Sequence, residues 1–380
     1  QYSMMRKILA LLCMTLCMSA CTQSVSEEGL LTLDLNQSYP SKELFIQDIA
    51  KVSYSKLEVD STWLIPSHRT FYASKKYVGF VDNRTGDIFF YHSDTGKKAF
   101  HINRKGQGPE EYMATGIVTL DEKNMQLYVW STWEGVSKVY DVEGKYLKTL
   151  PLRNYKKGEY SFVDACVDIN DEYMLCSHLK YGSYVLTYLL NKNNASQSIL
   201  IDSVPQSEII DKNLIHQTES GMTAVSPEVM PIMRSDKGII FADYSNDTIY
   251  RITDEYEKVP YIVRTPSVKS ETPHTILRYD GETTDWIFLT SIELHYDFEA
   301  KKGLKEKHYG IHKGSRKIYE VDLKDRNIGN GGYVPLYKEC ICLSAHQLMD
   351  LLDDNQLSGE LKHLASGLNE DDNGVLMLIH

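Results

Sequence analysis

The chain has 380 residues, of which 42% are hydrophobic and 24% charged, with 41 Lys and Arg against 52 Asp and Glu. This composition is that of a globular protein, and it excludes collagen-like, disordered and polytopic membrane proteins. The net charge of −11 also argues against a nucleic-acid partner, because contacts to phosphates require a dense cationic surface.

The N-terminus carries the parts of a secretory signal in their usual order. The basic pair Arg6-Lys7 precedes an apolar stretch over residues 8–20, whose last two residues, Ser19-Ala20, are small and precede Cys21. Such an order is typical of a cleaved signal, and a membrane-spanning helix would need about 20 apolar residues. The segment resembles the lipobox of bacterial lipoproteins, in which the cysteine receives the lipid.

We therefore predict three segments. Residues 1–20 form a lipoprotein-type signal peptide, residues 21–30 form a flexible tether that begins at a lipidated Cys21, and residues 31–380 form one folded domain. The anchor would hold the domain in the cell envelope, at the outer membrane, on its periplasmic side or at the cell surface.

Beyond residue 30 the chain reads as short strands separated by turn residues. Strands with similar patterns recur at intervals of 46 to 66 residues, and each is followed by a polar turn and a second strand. The centres of these strands are Phe80, Val129, Leu175, Phe241 and Phe288.

Four-stranded units that repeat every 40–50 residues or so are typical of a β-propeller. A single four-stranded sheet cannot bury both of its faces, so the sheets pack face to face around an axis until the ring closes. The chain length fits six or seven blades, and we predict six. The alternative of two sandwich domains would need a linker near the middle, and the best candidate, residues 191–198, is short, with repeats on both sides.

The C-terminal region predicts two helices and a closing strand. Ser344 is a suitable N-cap for a helix that ends at Leu352, and a second helix is expected over residues 359–365. The last strand, over residues 375–379, should pair with an N-terminal strand and close the ring. Two segments are candidates for this partner, residues 31–35 and residues 52–59.

Four cysteines lie in the folded domain. Cys166 and Cys176 flank a turn and would oppose each other across a hairpin, where they could pair, although buried thiols are the state we favour. Cys340 and Cys342 would face the same side of a strand. A zinc site usually needs a second pair of this kind, so we predict neither a metal nor a cofactor.

The turn over residues 102–112 resembles the Gly-x-Gly-Pro-Gly-Glu-Tyr turn of the six-bladed β-propeller lipoproteins of bacteria, from which it departs at Glu110. The segments over residues 244–250 and 369–379 are also similar to that family. The resemblance implies a fold and a location rather than a reaction. More distantly the chain is similar to NHL- and TolB-type propellers, which act chiefly as binding platforms.

Three apparent motifs are better explained by local structure. Gly106 and Gly108 lack the third glycine of a dinucleotide-binding loop, and Asp94-Thr95-Gly96 is expected to form a hairpin turn rather than half of an aspartic-protease site. His308 and His312 have the spacing of a helical zinc pair but lack its glutamate, so we predict solvated residues of a basic loop.

Ligand-binding residues are expected where the inner strands reach the mouth of the propeller. Aromatic side chains there could stack on sugar rings, although packing between blades explains each of them as well. The predicted ligand-binding residues are Trp130, Trp133, Tyr181, Trp286, Asp82 and Asp243, with Tyr184, Tyr296 and His178 as further positions of interest.

These features predict a lipid-anchored binding or scaffolding module whose partner is a glycan, a peptide or an envelope protein. The alternative is a propeller enzyme of the glycosidase, lyase or lactonase type with its site at the central mouth. Three or more converging acids or histidines in a deep polar pocket would favour the enzyme. A purely structural partner in an envelope complex would instead show an exposed apolar patch on one blade.

Overall fold

The structure is a computed structural model, and it describes residues 29–65, 70–131, 135–154, 156, 161–180, 182–219, 221–235, 237–329, 331–336 and 340–379. The predicted signal peptide, most of the predicted tether and Cys21 lie outside these residues. The described residues form a six-bladed β-propeller, as the repeats predicted.

The chain begins with three strands that join blades formed mainly by later residues. These are β1 (Leu31–Asp34), β2 (Ser41–Phe45) and β3 (Val52–Lys56), with the short helix α1 (Ile46–Ile49) between β2 and β3.

Blades I to III each have four antiparallel strands in chain order. Blade I comprises β4 (Thr70–Ala73), β5 (Tyr77–Asp82), β6 (Asp87–His92) and β7 (Lys98–Ile102). Blade II comprises β8 (Val118–Asp121), β9 (Gln126–Trp130), β10 (Val136–Asp141) and β11 (Tyr146–Pro151). Blade III comprises β12 (Ser161–Asp168), β13 (Tyr173–Lys180), β14 (Tyr184–Asn191) and β15 (Ile199–Pro205).

A hairpin of β16 (Leu214–Thr218) and β17 (Gly221–Val225) precedes blade IV, and a hairpin of β24 (Tyr296–Asp297) and β25 (Lys302–Gly303) interrupts blade V. Blade IV comprises β18 (Ile232–Ser235), β19 (Gly238–Phe241), β20 (Thr248–Ile252) and β21 (Lys258–Thr265). Blade V comprises β22 (Thr275–Glu282), β23 (Trp286–Glu293), β26 (Glu306–His312) and β27 (Ile318–Lys324).

Blade VI joins the two ends of the domain. It comprises β28 (Cys340–Leu343), β29 (Val375–Ile379) and β3, and the helices α2 (Ala345–Asp353) and α3 (Gly359–Ala365) connect β28 to β29. Short 3-10 turns occur at Ala195–Gln197, Gln206–Glu208 and Val268–Ser270.

The first strand of each blade lies at the axis. Neighbouring first strands contact one another from β28 through β4, β8, β12 and β18 to β22. Each seam between adjacent blades holds its own apolar cluster; Phe90 of blade I packs with Val129 of blade II, for example. These six clusters bury the sheet faces that no blade can bury alone.

The last strand closes the ring as predicted, through one of the two N-terminal candidates. β29 pairs antiparallel with β3, so that Val375 opposes Lys56. The other candidate, near residues 31–35, does not join blade VI: β1 pairs in parallel with β21, and β2 pairs in parallel with β27. These two strands cover the outer edges of blades IV and V, where backbone groups would otherwise be unpaired.

Most of the local predictions are confirmed. All five repeat centres lie in the second strands of blades I to V, and the Ser344 hydroxyl caps α2 by accepting a hydrogen bond from the Gln347 amide at 3.1 Å. Residues 94–96 form the expected turn, in which Gly96 has a φ of +65° and a Cβ would lie 2.1 Å from the Lys56 carbonyl oxygen. Residues 191–198 form a turn inside blade III and are therefore no linker.

The prediction for His308 was wrong. His308 lies in β26 rather than in a loop, and its ring stacks on that of Tyr333 at 3.7 Å. Its Nδ1 atom lies 2.8 Å from the oxygen of the Thr290 hydroxyl, and this hydroxyl donates its proton to the buried Asp280 carboxylate. The basic residues before His308 suggested a loop, but Tyr309 and Ile311 after it are buried at alternate positions, as in a strand of the sheet.

Candidate functional site

We call the face of the ring at which the first strands begin the top face. Because strands alternate in direction, the turns between second and third strands and the connections between blades also lie there. The two hairpins extend from this face, and their His216 and Phe298 rings stack with centroids 5.1 Å apart. Long connections on a rigid scaffold are the usual place for binding residues.

The innermost strand of blade III carries a β-bulge at Asp164. Val163 opposes His178 and Ala165 opposes Ser177, so Asp164 has no partner of its own in β13. A bulge turns the extra side chain away from the regular alternation, and bulges are frequent next to active sites. The bulge therefore presents an acid in a strand that lines the axis, and this residue is exposed to solvent.

Protein atoms nevertheless crowd the Asp164 carboxyl group. Their desolvating effect raises its pKa to about 6, the Lys212 ammonium opposes the rise, and repulsion from Asp243 adds to it. The Asp164 carboxyl group is thus reached by water on one side and partly desolvated by protein atoms on the other. Asp164 can thus change its charge close to neutral pH.

Blade IV and the connection before it supply the other polar groups of this site. Asp243 and Tyr244 occupy the turn between β19 and β20, and the Lys212 ammonium lies 5.5 Å from the centre of the Tyr244 ring. Burial raises the pKa of Asp243 and also that of Tyr244, which Asp243 and Asp164 raise further. Tyr244 therefore keeps its proton and can donate it in a hydrogen bond.

We define the axial polar site as Asp164, Lys212, Asp243 and Tyr244. It combines two carboxylates that accept hydrogen bonds with an ammonium and a phenol that donate them. The turn holds the Asp243 carboxylate in place, because the Ser245 amide donates to it at 2.9 Å and the Asn246 side chain at 2.8 Å. Such a set can bind a ligand whose groups both donate and accept.

Of the residues predicted from sequence, Asp243 belongs to this site. Asp82 is buried at the end of β5, where its carboxylate accepts hydrogen bonds from the Arg84 and Thr85 amides of the following turn at 2.8 and 3.3 Å. Burial favours a higher pKa for Asp82, but hydrogen bonds from Thr85 and Arg84 lower it overall. Asp82 is 8% exposed, whereas Asp243 is half-buried, so Asp82 is the less accessible of the two predicted acids.

The predicted aromatic residues are distributed around the ring. Trp130 is 1% exposed in the seam between blades II and III, and Trp286 is 7% exposed in the seam between blades V and VI. Trp133 and Tyr181 lie outside the described residues. As placed, the two tryptophan rings pack between blades rather than face the mouth.

The three further positions of interest are His178, Tyr184 and Tyr296, and their surroundings differ. His178 is buried, which lowers its pKa to about 4, and its ring contacts that of Tyr188. Tyr184 lies beneath the Lys180 ammonium, and the Tyr296 ring contacts Phe298 in the second hairpin. None of them joins the axial polar site.

Sequence reasoning missed Asp164 and Lys212. The only signal for Asp164 is an acid inside the otherwise apolar segment Phe162–Val167, and such an acid also occurs at ordinary edge positions. Nothing in the sequence around Lys212 distinguishes it from the other lysines.

The described part of the chain was also compared with the requirements of a metal site and of a membrane-spanning helix. No three side chains of His, Cys, Asp or Glu in it are grouped so that they could hold one metal ion. None of its helices has both the length and the apolar character needed to cross a membrane.

A family model described as a domain of unknown function, DUF4934, matches residues 30–380. No curated protein has a sequence that matches this chain. The chain is similar to a solved structure from Bacteroides fragilis, described provisionally as an exported protein, with 13% identity, coverage of 92% of this chain and 99% of the other, and a TM-score of 0.58. At this identity the likeness shows the fold alone.

Two further solved structures are more distant. A member of the DUF4221 family from Bacteroides vulgatus has 9% identity and a TM-score of 0.42, covering 87% of this chain and 97% of the other. An inactive variant of virginiamycin B lyase from Staphylococcus aureus, solved with quinupristin, has 13% identity and a TM-score of 0.36, covering 71% and 88%.

Proposed function

This chain belongs to the DUF4934 family, and from its own geometry we propose that it is an extracytoplasmic binding module that takes a glycan at the axial polar site. The observation that carries the proposal is the bulge at Asp164, which places a solvent-accessible carboxyl group of pKa about 6 at the axis. β-Bulges are over-represented next to active sites, and perturbed pKa values cluster at functional sites.

The chemistry of the site favours a polyhydroxylated ligand. A sugar hydroxyl donates to a carboxylate and accepts from an ammonium or a phenol, so it can use both kinds of group found here. Asp164, Lys212 and Asp243 come from three different segments, and a ligand that bridges them would contact blades III and IV together. The alternative partner is a peptide or an envelope protein, and the test below distinguishes it from a glycan.

The proposed location rests on the N-terminal sequence. A cleaved signal before Cys21, lipidation of that cysteine and a tether up to residue 30 would hold the propeller outside the cytoplasm, at the outer membrane. The Bacteroides fragilis protein of the same fold is described as exported, which agrees with this location. A membrane anchor would leave the ring available to bind or to scaffold other envelope components.

The first test uses a glycan array followed by titration calorimetry, with a peptide array in parallel. Asp164→Asn and Asp243→Asn should each weaken binding of the glycan about 10- to 100-fold, because each removes a charged hydrogen-bond acceptor. Asp254→Asn is the matched control, since Asp254 is exposed in the turn at the opposite end of blade IV. Equal affinity of all three variants would contradict the proposal, as would binding only on the peptide array.

The pH dependence of binding gives a second prediction. If the ligand needs the ionised Asp164, its affinity should be about tenfold lower near pH 5 than near pH 7.5, given a pKa of about 6.

The stability of the folded domain should change with pH in the opposite sense. Because the folded state holds this proton more tightly than the unfolded one, Asp164→Asn should be more stable than the wild type above about pH 6 and lose that advantage in acid. Calorimetry and thermal melts across this range measure both effects.

One observation also favours an enzyme. A carboxyl group with a pKa of about 6 can act as a general acid or base near neutral pH, and Asp243 could supply a second carboxylate. An enzyme would release products from the bound glycan, detectable by mass spectrometry, and Asp164→Asn would abolish their release. Binding without turnover would assign the site to recognition alone.

A further inference from the structure

The two cysteines of blade III lie opposite each other on neighbouring strands. Cys166 of β12 and Cys176 of β13 are direct partners in the antiparallel ladder. Cys176 is completely buried and Cys166 is 9% exposed. Both belong to the apolar cluster between blades II and III, so few polar groups compete for their sulfur atoms.

Two hydrogen bonds indicate that Cys166 and Cys176 occupy a non-hydrogen-bonded position of the ladder. The Ile169 amide donates to the Tyr173 carbonyl, so these two residues form a hydrogen-bonded pair. Hydrogen-bonded and non-hydrogen-bonded pairs alternate along an antiparallel ladder. The Cys166–Cys176 pair lies three positions along the ladder from Ile169 and Tyr173, so it is a non-hydrogen-bonded pair. Independently, the Cys166 carbonyl points away from β13 and accepts from the Thr119 hydroxyl of blade II at 3.0 Å. Non-hydrogen-bonded partners have Cα atoms only about 4.5 Å apart, which lies within the range that disulfides span.

The sulfur atoms themselves are close. The two Sγ atoms lie 2.7 Å apart, which is well inside the roughly 3.5–4.0 Å at which even smaller carbon atoms make contact. We propose that Cys166 and Cys176 are a modification site that forms an intramolecular disulfide, which fastens the innermost strand of blade III to its neighbour. This inference rests on the proposed export, because an oxidising compartment is where such a bond persists.

The reaction needs a disulfide as oxidant. The thiolate of one cysteine attacks a sulfur of the oxidant and releases one thiol, and the second cysteine then attacks the mixed disulfide and releases the other. One S–S bond forms in the chain, one breaks in the oxidant, and the two protons of the cysteines end on the released thiols. Since burial raises the pKa of the Cys176 thiol and hides it from oxidants, the bond should form during folding rather than afterwards.

The bond would lie next to the axial polar site. Cys166 follows the bulged Asp164 by two residues, so a link to Cys176 holds the register of β12 against β13 just beyond the bulge. Reduction would release this restraint without removing any group of the site.

The test refolds the full chain from denaturant in a buffer of oxidised and reduced glutathione, blocks the remaining thiols with iodoacetamide and maps the peptides. Trypsin leaves Cys166 and Cys176 on one peptide, because no Lys or Arg lies between them, and cleavage after Glu172 then separates the two. We expect the two halves to stay joined until a reductant is added. Reduction should lower the Tm of the wild type by about 2–6 °C.

Two variants complete the experiment. Cys166→Ala with Cys176→Ala should show no change in Tm on reduction, whereas Cys342→Ser, which alters a cysteine of another blade, should keep the wild-type response. Blocked thiols at both positions in the refolded wild type would overturn the inference, whatever the location of the protein. A bond found after refolding but not in chain isolated from its own cells would support the inference and count instead against the proposed export.

Discussion

Asn373→Ala is expected to lower the free energy of unfolding by about 3–5 kcal/mol, because this one side chain makes several hydrogen bonds in the interior. Asn373 is 3% exposed just before β29, where the end of the chain meets blade I. Its side-chain NH2 group donates to the carbonyl groups of Glu58 and Trp63 at 3.0 and 2.6 Å, and the same nitrogen lies 3.1 Å from the Tyr91 hydroxyl oxygen.

The Asn373 carbonyl oxygen also accepts a hydrogen bond from the Ile65 amide at 2.9 Å. One side chain thus joins the last blade to the segment that leads into the first. Alanine removes all of these bonds at once and leaves the buried Ile65 amide and the part-buried Glu58 and Trp63 carbonyl groups without this partner, and an unsatisfied buried group costs about 1–3 kcal/mol. Because the ring is stable only when closed, the loss should affect the whole domain rather than one blade.

Chemical denaturation measured by fluorescence and by circular dichroism tests this prediction. Asn369→Ala is the control, because Asn369 lies four residues earlier and its side chain is exposed. Similar midpoints for the two variants would show that the Asn373 bonds are not what closes the ring. A loss of blade VI alone, seen as two separate transitions, would show that the blades unfold independently.

Lys192→Met is expected to destabilise the domain by about 3–5 kcal/mol near neutral pH. The Lys192 ammonium is buried between blades II and III, 2.6 Å from the Asp121 carboxylate and 2.5 Å from that of Asp168. Methionine matches the length of the side chain but leaves two neighbouring acids without a counter-charge. The cost of an uncompensated buried charge exceeds the gain from the added apolar contact.

The destabilisation caused by Lys192→Met should become smaller in acid, because the two acids beside Lys192, Asp168 and Asp121, take up protons there. Burial raises the pKa of Asp168 despite the attraction of Lys192. Burial has the same tendency at Asp121, but hydrogen bonds from Asn124 and Lys192 lower its pKa overall. The stabilisation from a lowered carboxyl pKa is present above the unfolded value and is lost as the pH falls through the folded one. Wild type and variant should therefore become more alike towards about pH 4.

Lys123→Met provides a matched control for this second prediction. Lys123 forms an ion pair with Asp171 between the same two blades, but both side chains are more than half exposed. Such surface pairs contribute about 0–1 kcal/mol. A difference between the Lys192 and Lys123 variants that stays constant with pH would contradict the electrostatic explanation.

The sequence predicted the repeating parts of the fold because they depend on local patterns. The spacing of Phe80, Val129, Leu175, Phe241 and Phe288 located the second strand of five blades. Ser344 predicted the start of a helix, since its hydroxyl can cap only the residues next to it. The final apolar run predicted a closing strand, because a ring of sheets has no other way to cover its last face.

The candidate site could not be predicted in the same way. Asp243 was identified because it follows a buried strand, but Asp164 and Lys212 became neighbours of Asp243 only through the packing of blade III against blade IV. The bulge at Asp164 is a mismatch between two paired strands, so neither strand shows it alone. His308 shows the same limit, because its contacts with Thr290 and Tyr333 come from residues far away in the chain.

For this protein the sequence by itself indicated a ring of six blades, the second strands of five of them and a C-terminal strand that closes the ring. Those features follow from hydrophobic periodicity, which each segment carries independently of the rest. The tertiary structure decided which polar side chains share an environment, which strands cover the outer edges of blades IV and V, and how closely the sulfur atoms of Cys166 and Cys176 approach. These depend on register and on the angle between sheets, and no single segment contains that information.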